Sequence, residues 1–413
     1  MGFDLVAKQD FIPVILGTDI NAYGMARSFH MEYGVTSRCI GKGRLFMTNL
    51  SDITTIKVVE NLDEPDVFAD ALIAFANELK QEAEKLVLIA SSDSYAELVI
   101  RNQDKLAPHY ELPFVAEKWI DELLYKDRFY ALCEQYGLDF PATYLVTKEN
   151  KDRVELPFGF PVALKPADSI AYLEASFEGK KKAYIIKDQA ELERTLQAVY
   201  SSSYTGTMIV QDFIPGDDSN MRVLNAYSDQ NGKVRLMCLG RPLLEDCTPS
   251  LVGNYVAIVN EYNEDIYKQY QQFLEAIGYT GLANFDMKYD ARDGKYKIFE
   301  INLRQGRSSF FTTGSGYNLA KFVVENLVYG KHEPTVYAKT EHLWLGVPKE
   351  VALAYTEDKE AVAYMKRLIK EKKYCMTLQY DADKAIKRWW HVRKYYKSYE
   401  DRYKQFYEQK GSL

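Results

Sequence analysis

The stretch running from Asn284 to Arg304 constrains the fold of this chain more than any other. Asn284-Phe285-Asp286-Met287-Lys288-Tyr289-Asp290 alternates apolar and polar residues, Ala291-Arg292-Asp293-Gly294 makes a turn, and alternation resumes over residues 295–304. Side chains two apart on a strand share a face, and Asp-Gly between alternating runs marks a β-hairpin. Phe285, Met287 and Tyr289 are expected on one face, as are Phe299, Ile301 and Leu303. Asp286, Glu300 and Asn302 take the opposite face, with Asp286 expected almost opposite Glu300. Two close carboxylates and an amide oxygen are costly together unless a cation sits among them. Hard oxygen donors suit Mg²⁺, which keeps waters and completes its shell with substrate phosphates. Arg304, next on that face, is then placed to meet a phosphoryl group. Alone, the same pattern is the solvated side of a hairpin, so other segments must decide.

With 413 residues the chain can build two to four domains. A hydrophobic share of 47%, a charged share of 27% and a net charge of -7 describe an ordinary acidic protein and argue against a nucleic-acid partner. The five cysteines are widely spaced with no CxxC, so neither a disulfide framework nor structural zinc is expected, and a reducing, cytoplasmic setting is. The five histidines suggest no Ser/His/Asp set. No stretch approaches the roughly 18 apolar residues that span a bilayer, and the amino terminus lacks an export signature.

Residues 11–110 alternate strands and helices: an apolar strand at 11–16, the turn Gly17-Thr18-Asp19, a helix at 22–33, a helix at about 67–85, a strand at 86–90 and the turn Ser91-Ser92-Asp93 before another helix. Such alternation builds a parallel sheet, whose sites lie beyond the strand carboxyl ends. The two turns are either substrate-facing or plain helix N-caps. A helix is expected at 121–136. Further on, Phe160-Pro161-Val162-Ala163-Leu164-Lys165-Pro166 is an apolar strand closed by a lysine, which either meets an anion or snorkels to the surface. Residues 177–184 resemble a hairpin tip carrying Lys180, Lys181 and Lys182, a basic lid if set over a nucleotide and a solvated turn otherwise. Residues 208–218 form a strand that breaks at Pro215-Gly216 into Asp217 and Asp218, a hinge suited to adenine and ribose. Strands at 221–227 and 234–239 and a helix at 265–277 follow. Beyond the hairpin, residues 304–309 form a polar loop able to hold phosphate or carboxylate. From Lys387 to Lys410 there are eight Lys/Arg against three Asp/Glu, interleaved with aromatics. That tail suits either packing on the protein's own body or an anionic membrane surface.

In this order the elements resemble the ATP-grasp superfamily, over about residues 11–330. Residues 17–28, 211–223 and 299–311, with the basic tail, look like the D-aspartate ligases of peptidoglycan cross-bridge synthesis. The resemblance implies an α/β (α+β) ATP-grasp fold: a parallel-sheet preATP-grasp domain (1–115), a lid subdomain (116–212), a catalytic and metal subdomain (213–335) and a C-terminal extension (336–413). It implies a carboxylate–amine ligase that converts ATP to ADP and phosphate through an acylphosphate. By position, Lys165 and Lys126 would bind phosphates, with Lys180 and Lys181 on the mobile loop. Gln211, Asp212, Phe213 and Ile214 would line adenine, and Asp218 would take the ribose. Asp286, Glu300 and Asn302 would hold Mg²⁺, or Mn²⁺, and Arg304 would stabilise the transferred phosphoryl group. Asn284 stands where some relatives carry an arginine, leaving Arg222, Arg241 or Arg307 to supply that charge near the acylphosphate. The implied partners are D-aspartate or another amino acid and a peptidoglycan precursor, with membrane contact through the tail and a homodimer as further expectations. Alternatives are a ligase for another amino acid or small peptide, and a non-catalytic nucleotide-binding module.

Overall fold

The computed structural model describes residues 9–167, 169–181, 183–249 and 251–410. The chain divides into two compact units. One is built from the segment ending at Ile120, Asp218–Phe285 and the segment beginning at Ile301; the other is built from Asp121–Asp217 and Asp286–Glu300.

The first unit opens with strands β1 (Gln9–Leu16), β2 (Ser37–Gly41), β3 (Thr54–Val58) and β4 (Ala83–Ala90) in a parallel sheet of order β3-β2-β1-β4. β1 is buried from Phe11 onward, as a strand covered on both faces must be. The helix Ile20–Tyr33 begins where the Asp19 side chain accepts a hydrogen bond from the Ala22 amide, and it ends at Gly34 with φ of 67°. The helix expected at about 67–85 runs from Pro65 to Leu79 instead. Ala83 and Lys85 belong to β4, where they pair with Gln9 and Phe11 of β1. Cross-strand pairing overrides the helical propensity of that short polar run.

In the second unit, β5 (Thr143–Val146), β6 (Val162–Pro166), β7 (Tyr184–Ile186) and β8 (Met208–Asp212) form an antiparallel sheet of order β5-β8-β6-β7. Leu192, Leu196 and Val199 of the helix Gln189–Tyr200 pack with Val162, Leu164, Met208 and Val210. The expected hairpin tip at 177–184 is a stretch between the short helix Ser169–Glu174 and β7, turning at Gly179 with φ of 75°. Lys182 lies outside the described residues. The helix expected at 121–136 is split into Ile120–Leu124 and Lys126–Gln135.

The large sheet is built from β9 (Met221–Ser228), β10 (Val234–Glu245), β11 (Tyr255–Glu261), β12 (Gly281–Asp290), β13 (Lys295–Asn302), β14 (Val336–Tyr337), β15 (Leu343–Leu345) and β16 (Tyr374–Met376). Its order is β13-β12-β9-β10-β11-β15-β16, with β14 on β10. β12 and β13 are the expected hairpin, turned at Gly294 with φ of 74°, where the Gly294 amide donates to the Asp290 carbonyl at 2.8 Å. Phe285, Met287, Ile301 and Leu303 are buried as expected, whereas Tyr289 and Phe299 are only half-buried. Asp290 is also buried, held by Arg292 and by Lys297 at 2.7 Å, which hold its carboxyl far below the usual carboxylate range.

The C-terminal helix Ile386–Lys410 packs on the first unit's own core. Val392, Tyr396, Tyr399 and Tyr403 recur at helical spacing and are buried with Leu243, Val351, Met365 and Leu368. Tyr403 donates to the Glu245 carbonyl at 2.7 Å. All five cysteines are free, and among the described residues no helix is long and apolar enough to cross a membrane.

Candidate active site

Lys165 closes β6, paired with Ile209 of β8. Its ammonium stands 5.8 Å from the centre of the Phe299 ring. Burial, and next the neighbouring Lys126, push its pKa down to about 7, while Glu300 opposes the shift. Lys126 opens the helix Lys126–Gln135 and reaches the Glu300 carboxylate at 3.3 Å. A cation at a helix amino terminus opposes the macrodipole, and its charge disfavours the ammonium of Lys165 beside it. The pair makes physical sense as an anion cradle. The structure therefore brings together three residues named from sequence, Lys126, Lys165 and Glu300.

The neighbouring strand β8 behaves differently. Gln211 is buried, and its amide donates to Tyr130 Oη and to Thr143 Oγ1, each at 2.9 Å. Tyr130 in turn donates to the Phe299 carbonyl. Asp212 is engaged by both terminal nitrogens of Arg292, at 3.1 and 2.6 Å. These hydrogen bonds fix the Gln211 and Asp212 side chains at the end of β8, next to Phe213 and Ile214. Lys180 donates to the Ala175 carbonyl at 2.6 Å and lies over the Tyr172 ring, while Lys181 is exposed. Asp218 belongs to the first unit, where its carboxylate accepts from the Glu245 amide at 3.2 Å.

In the first unit, loops converge at the carboxyl edge of the parallel sheet. Arg304 donates to Asp93 at 2.7 Å and to the Gln305 carbonyl at 2.8 Å. Its buried Nε has no acceptor among the described residues, an orphan donor suited to an incoming anion. Asn21 donates to the Ser91 carbonyl, tying the turn after β1 to the turn after β4. Burial raises the pKa of Asp19, opposed by the Ala22 amide and by the charges of Arg307 and Arg304. Asp19 and Asp93, read from sequence only as members of two turns, thus flank the arginines. Of the three arginines proposed to complete the charge, Arg222 and Arg241 share Glu261, at 2.8 and 3.8 Å. Arg307 is exposed on the same loop as Arg304.

Sequence reasoning missed an amide relay. Asn302 donates to Asn284 at 2.9 Å, Asn284 to Asn225 at 3.0 Å, and Asn225 to Thr312 at 2.9 Å. Asn284 fixes which way the Asn302 amide faces. A Cβ on Gly306 would come within 2.9 Å of the Asn284 amide, so that glycine is needed for the close approach. Glu300 and Asn302 alternate along β13 and share a face. Carboxylate and amide oxygens are donors of the kind a hard divalent cation takes. Among the described residues no three His, Cys, Asp or Glu side chains gather in ligating geometry.

No protein-family model matches the sequence. A D-aspartate ligase of Enterococcus faecium is 45% identical over 415 residues, spanning 98% of this chain and 99% of that protein.

The chain belongs to the D-aspartate ligase family.

The solved structure of an L-amino acid ligase from Bacillus licheniformis superimposes on this ligase with a TM-score of 0.55 at 16% identity, over 78% of this chain and 75% of that one. N5-carboxyaminoimidazole synthetase from Staphylococcus aureus gives 0.58 at 13% identity, over 86% and 87%. The ligase has the ATP-grasp fold and is an ATP-dependent carboxylate–amine ligase.

Proposed function

We propose that the ligase activates the β-carboxylate of D-aspartate as an acylphosphate and joins it to the lysine ε-amine of a peptidoglycan precursor, UDP-MurNAc-pentapeptide, with release of ADP and phosphate. Identity to a D-aspartate ligase along the whole chain carries this proposal. The orphan Nε of Arg304 beside Asp19, Asp93 and Arg307 supports it.

Both reactants of the first step are anionic, so the enzyme's task is to offset their repulsion and the charge spreading over the transferring phosphoryl group. Lys165 and Lys126 take the triphosphate, and Lys180 and Lys181 lie on the segment that covers it. Gln211, Asp212, Phe213 and Ile214 line adenine, and Asp218 takes the ribose. Asp286, Glu300 and Asn302 would hold Mg²⁺, with Mn²⁺ as a substitute. Bound there, the cation supplies charge neutralisation for the phosphates. A carboxylate oxygen forms its bond to the γ-phosphorus as the bond to the ADP oxygen breaks. The amine nitrogen then forms its bond to the acyl carbon, phosphate leaves and the nitrogen gives up a proton. Arg304 and Arg307 stabilise the acylphosphate.

The test is ADP release by the full chain with Mg-ATP and the lysine-containing precursor, supplied in turn with D-Asp, L-Asp, D-Glu and other amino acids. Release that requires D-Asp, with product heavier by one aspartyl residue, is expected. Turnover with a different donor alone would overturn the donor assignment, and turnover with a different amine alone would overturn the acceptor.

A further inference from the structure

The C-terminal helix has a second face that the chemistry does not use. Its inner face is buried, with Arg388 held by Asp383 at 2.7 Å and Val392, Tyr396, Tyr399 and Tyr403 in the core. On its outer face Ile386, Trp389 and Trp390 are 80%, 53% and 64% exposed. These are the three most exposed large apolar side chains among the described residues, and they fall within five consecutive positions. Burying aromatic surface is the main use of tryptophan, so two exposed neighbouring indoles call for a partner. Trp389 and Trp390 meet edge to face, their rings 5.5 Å apart and 85° between planes, so together they project outward and form no slot.

The charges around them are all of one sign. Lys387, Arg393, Lys394 and Lys397 are exposed, and residues 386–397 contain no acid. Among the described residues Lys387, Lys394 and Lys397 make no ion pair, and the Arg393 guanidinium lies over the Trp389 ring at 5.4 Å. This local patch opposes the net charge of -7 carried by the whole chain. Beside it, a cavity of about 1290 Å³ is lined by Ile386, Trp389, Lys384, Arg393 and Lys397 together with the acids Asp381, Asp383 and Glu400.

We infer that the first three turns of this helix dock the protein on an anionic bilayer surface. Ile386, Trp389 and Trp390 enter the headgroup layer, where indoles are favoured, while Lys387, Arg393, Lys394 and Lys397 meet the lipid phosphates. A convex aromatic tip ringed by unpaired cations matches a fluid anionic surface better than it matches a shaped protein pocket. The packed inner face leaves the helix anchored to the body while its outer face binds, so docking requires no unfolding. The inference is independent of which donor and acceptor the ligase joins.

The experiment is co-sedimentation of the full chain with phosphatidylcholine vesicles and with vesicles containing phosphatidylglycerol, followed also by tryptophan emission. Binding is expected only with phosphatidylglycerol, with a blue-shifted emission and a steep loss as salt is raised. Trp389→Ser with Trp390→Ser is expected to weaken binding by about ten-fold or more, and Lys387→Glu with Lys394→Glu to abolish the preference for the anionic lipid. These side chains are exposed, so turnover of soluble substrates is expected to be unchanged and reports that the variants are folded. Absence of binding to the anionic vesicles, or binding unchanged in both double variants, would overturn the inference. So would an emission change driven by a soluble nucleoside diphosphate without vesicle binding, which would make the patch a nucleotide site.

Discussion

Lys165 shows how one residue's environment prepares it for a ligand. A strand-closing lysine beside Lys126 loses solvation and gains a like charge, and its pKa falls to about 7. The ordinary value is 10.5, so between these two values the nucleotide-free protein leaves the amine neutral where the unfolded chain would protonate it. Nucleotide phosphates held by Lys165, as proposed, would restore the ammonium. Binding above pH 7 must then take up a proton, and affinity must fall as the pH rises further. Calorimetry at pH 8 in buffers of different ionisation enthalpy should show uptake approaching about one proton, absent in Lys165→Met. No uptake by the wild-type protein would remove Lys165 from the phosphate site. The sequence exposed this lysine because it ends an apolar run. It could not show which partners hold Gln211 and Asp212, namely Tyr130, Thr143 and Arg292. Those partners lie far along the chain, and no local pattern encodes them.

The hairpin β12–β13 is the element whose form was most legible, because alternation and an Asp-Gly turn are local signals. What orients its polar face was not legible. The contribution of Asn284 emerges only with the relay from Asn302 through Asn225 to Thr312. Groups that orient a metal ligand typically change metal affinity or activity 10–100-fold when removed. Asn284→Ala should therefore raise the Mg²⁺ concentration for half-maximal ADP formation by roughly 10–100-fold. Nucleotide affinity measured without metal should be unchanged. An unaltered Mg²⁺ dependence would make the relay a feature of stability alone. The limits of β4 and its preceding helix show the same divide, since pairing with β1 converts residues that look helical into strand.

At the scale of the molecule, alternating strands and helices made the parallel sheet readable, and the turns after β1 and β4 carry the helix N-caps Asp19 and Ser92. The short strands β2, β3, β15 and β16 carry too few residues for a periodic signal, yet they complete their sheets. The basic tail left two fates open, and the fold places one face of it in the core. In the proposed reaction a carboxylate becomes an acylphosphate before any amine arrives. Hydroxylamine intercepts such an intermediate as a hydroxamate. The full chain with Mg-ATP, hydroxylamine and no peptide acceptor should form ADP and the β-hydroxamate of D-aspartate in equal amounts, with far less from L-aspartate and none in Glu300→Gln. ADP formation without hydroxamate, or equal yields from the two enantiomers, would contradict the account.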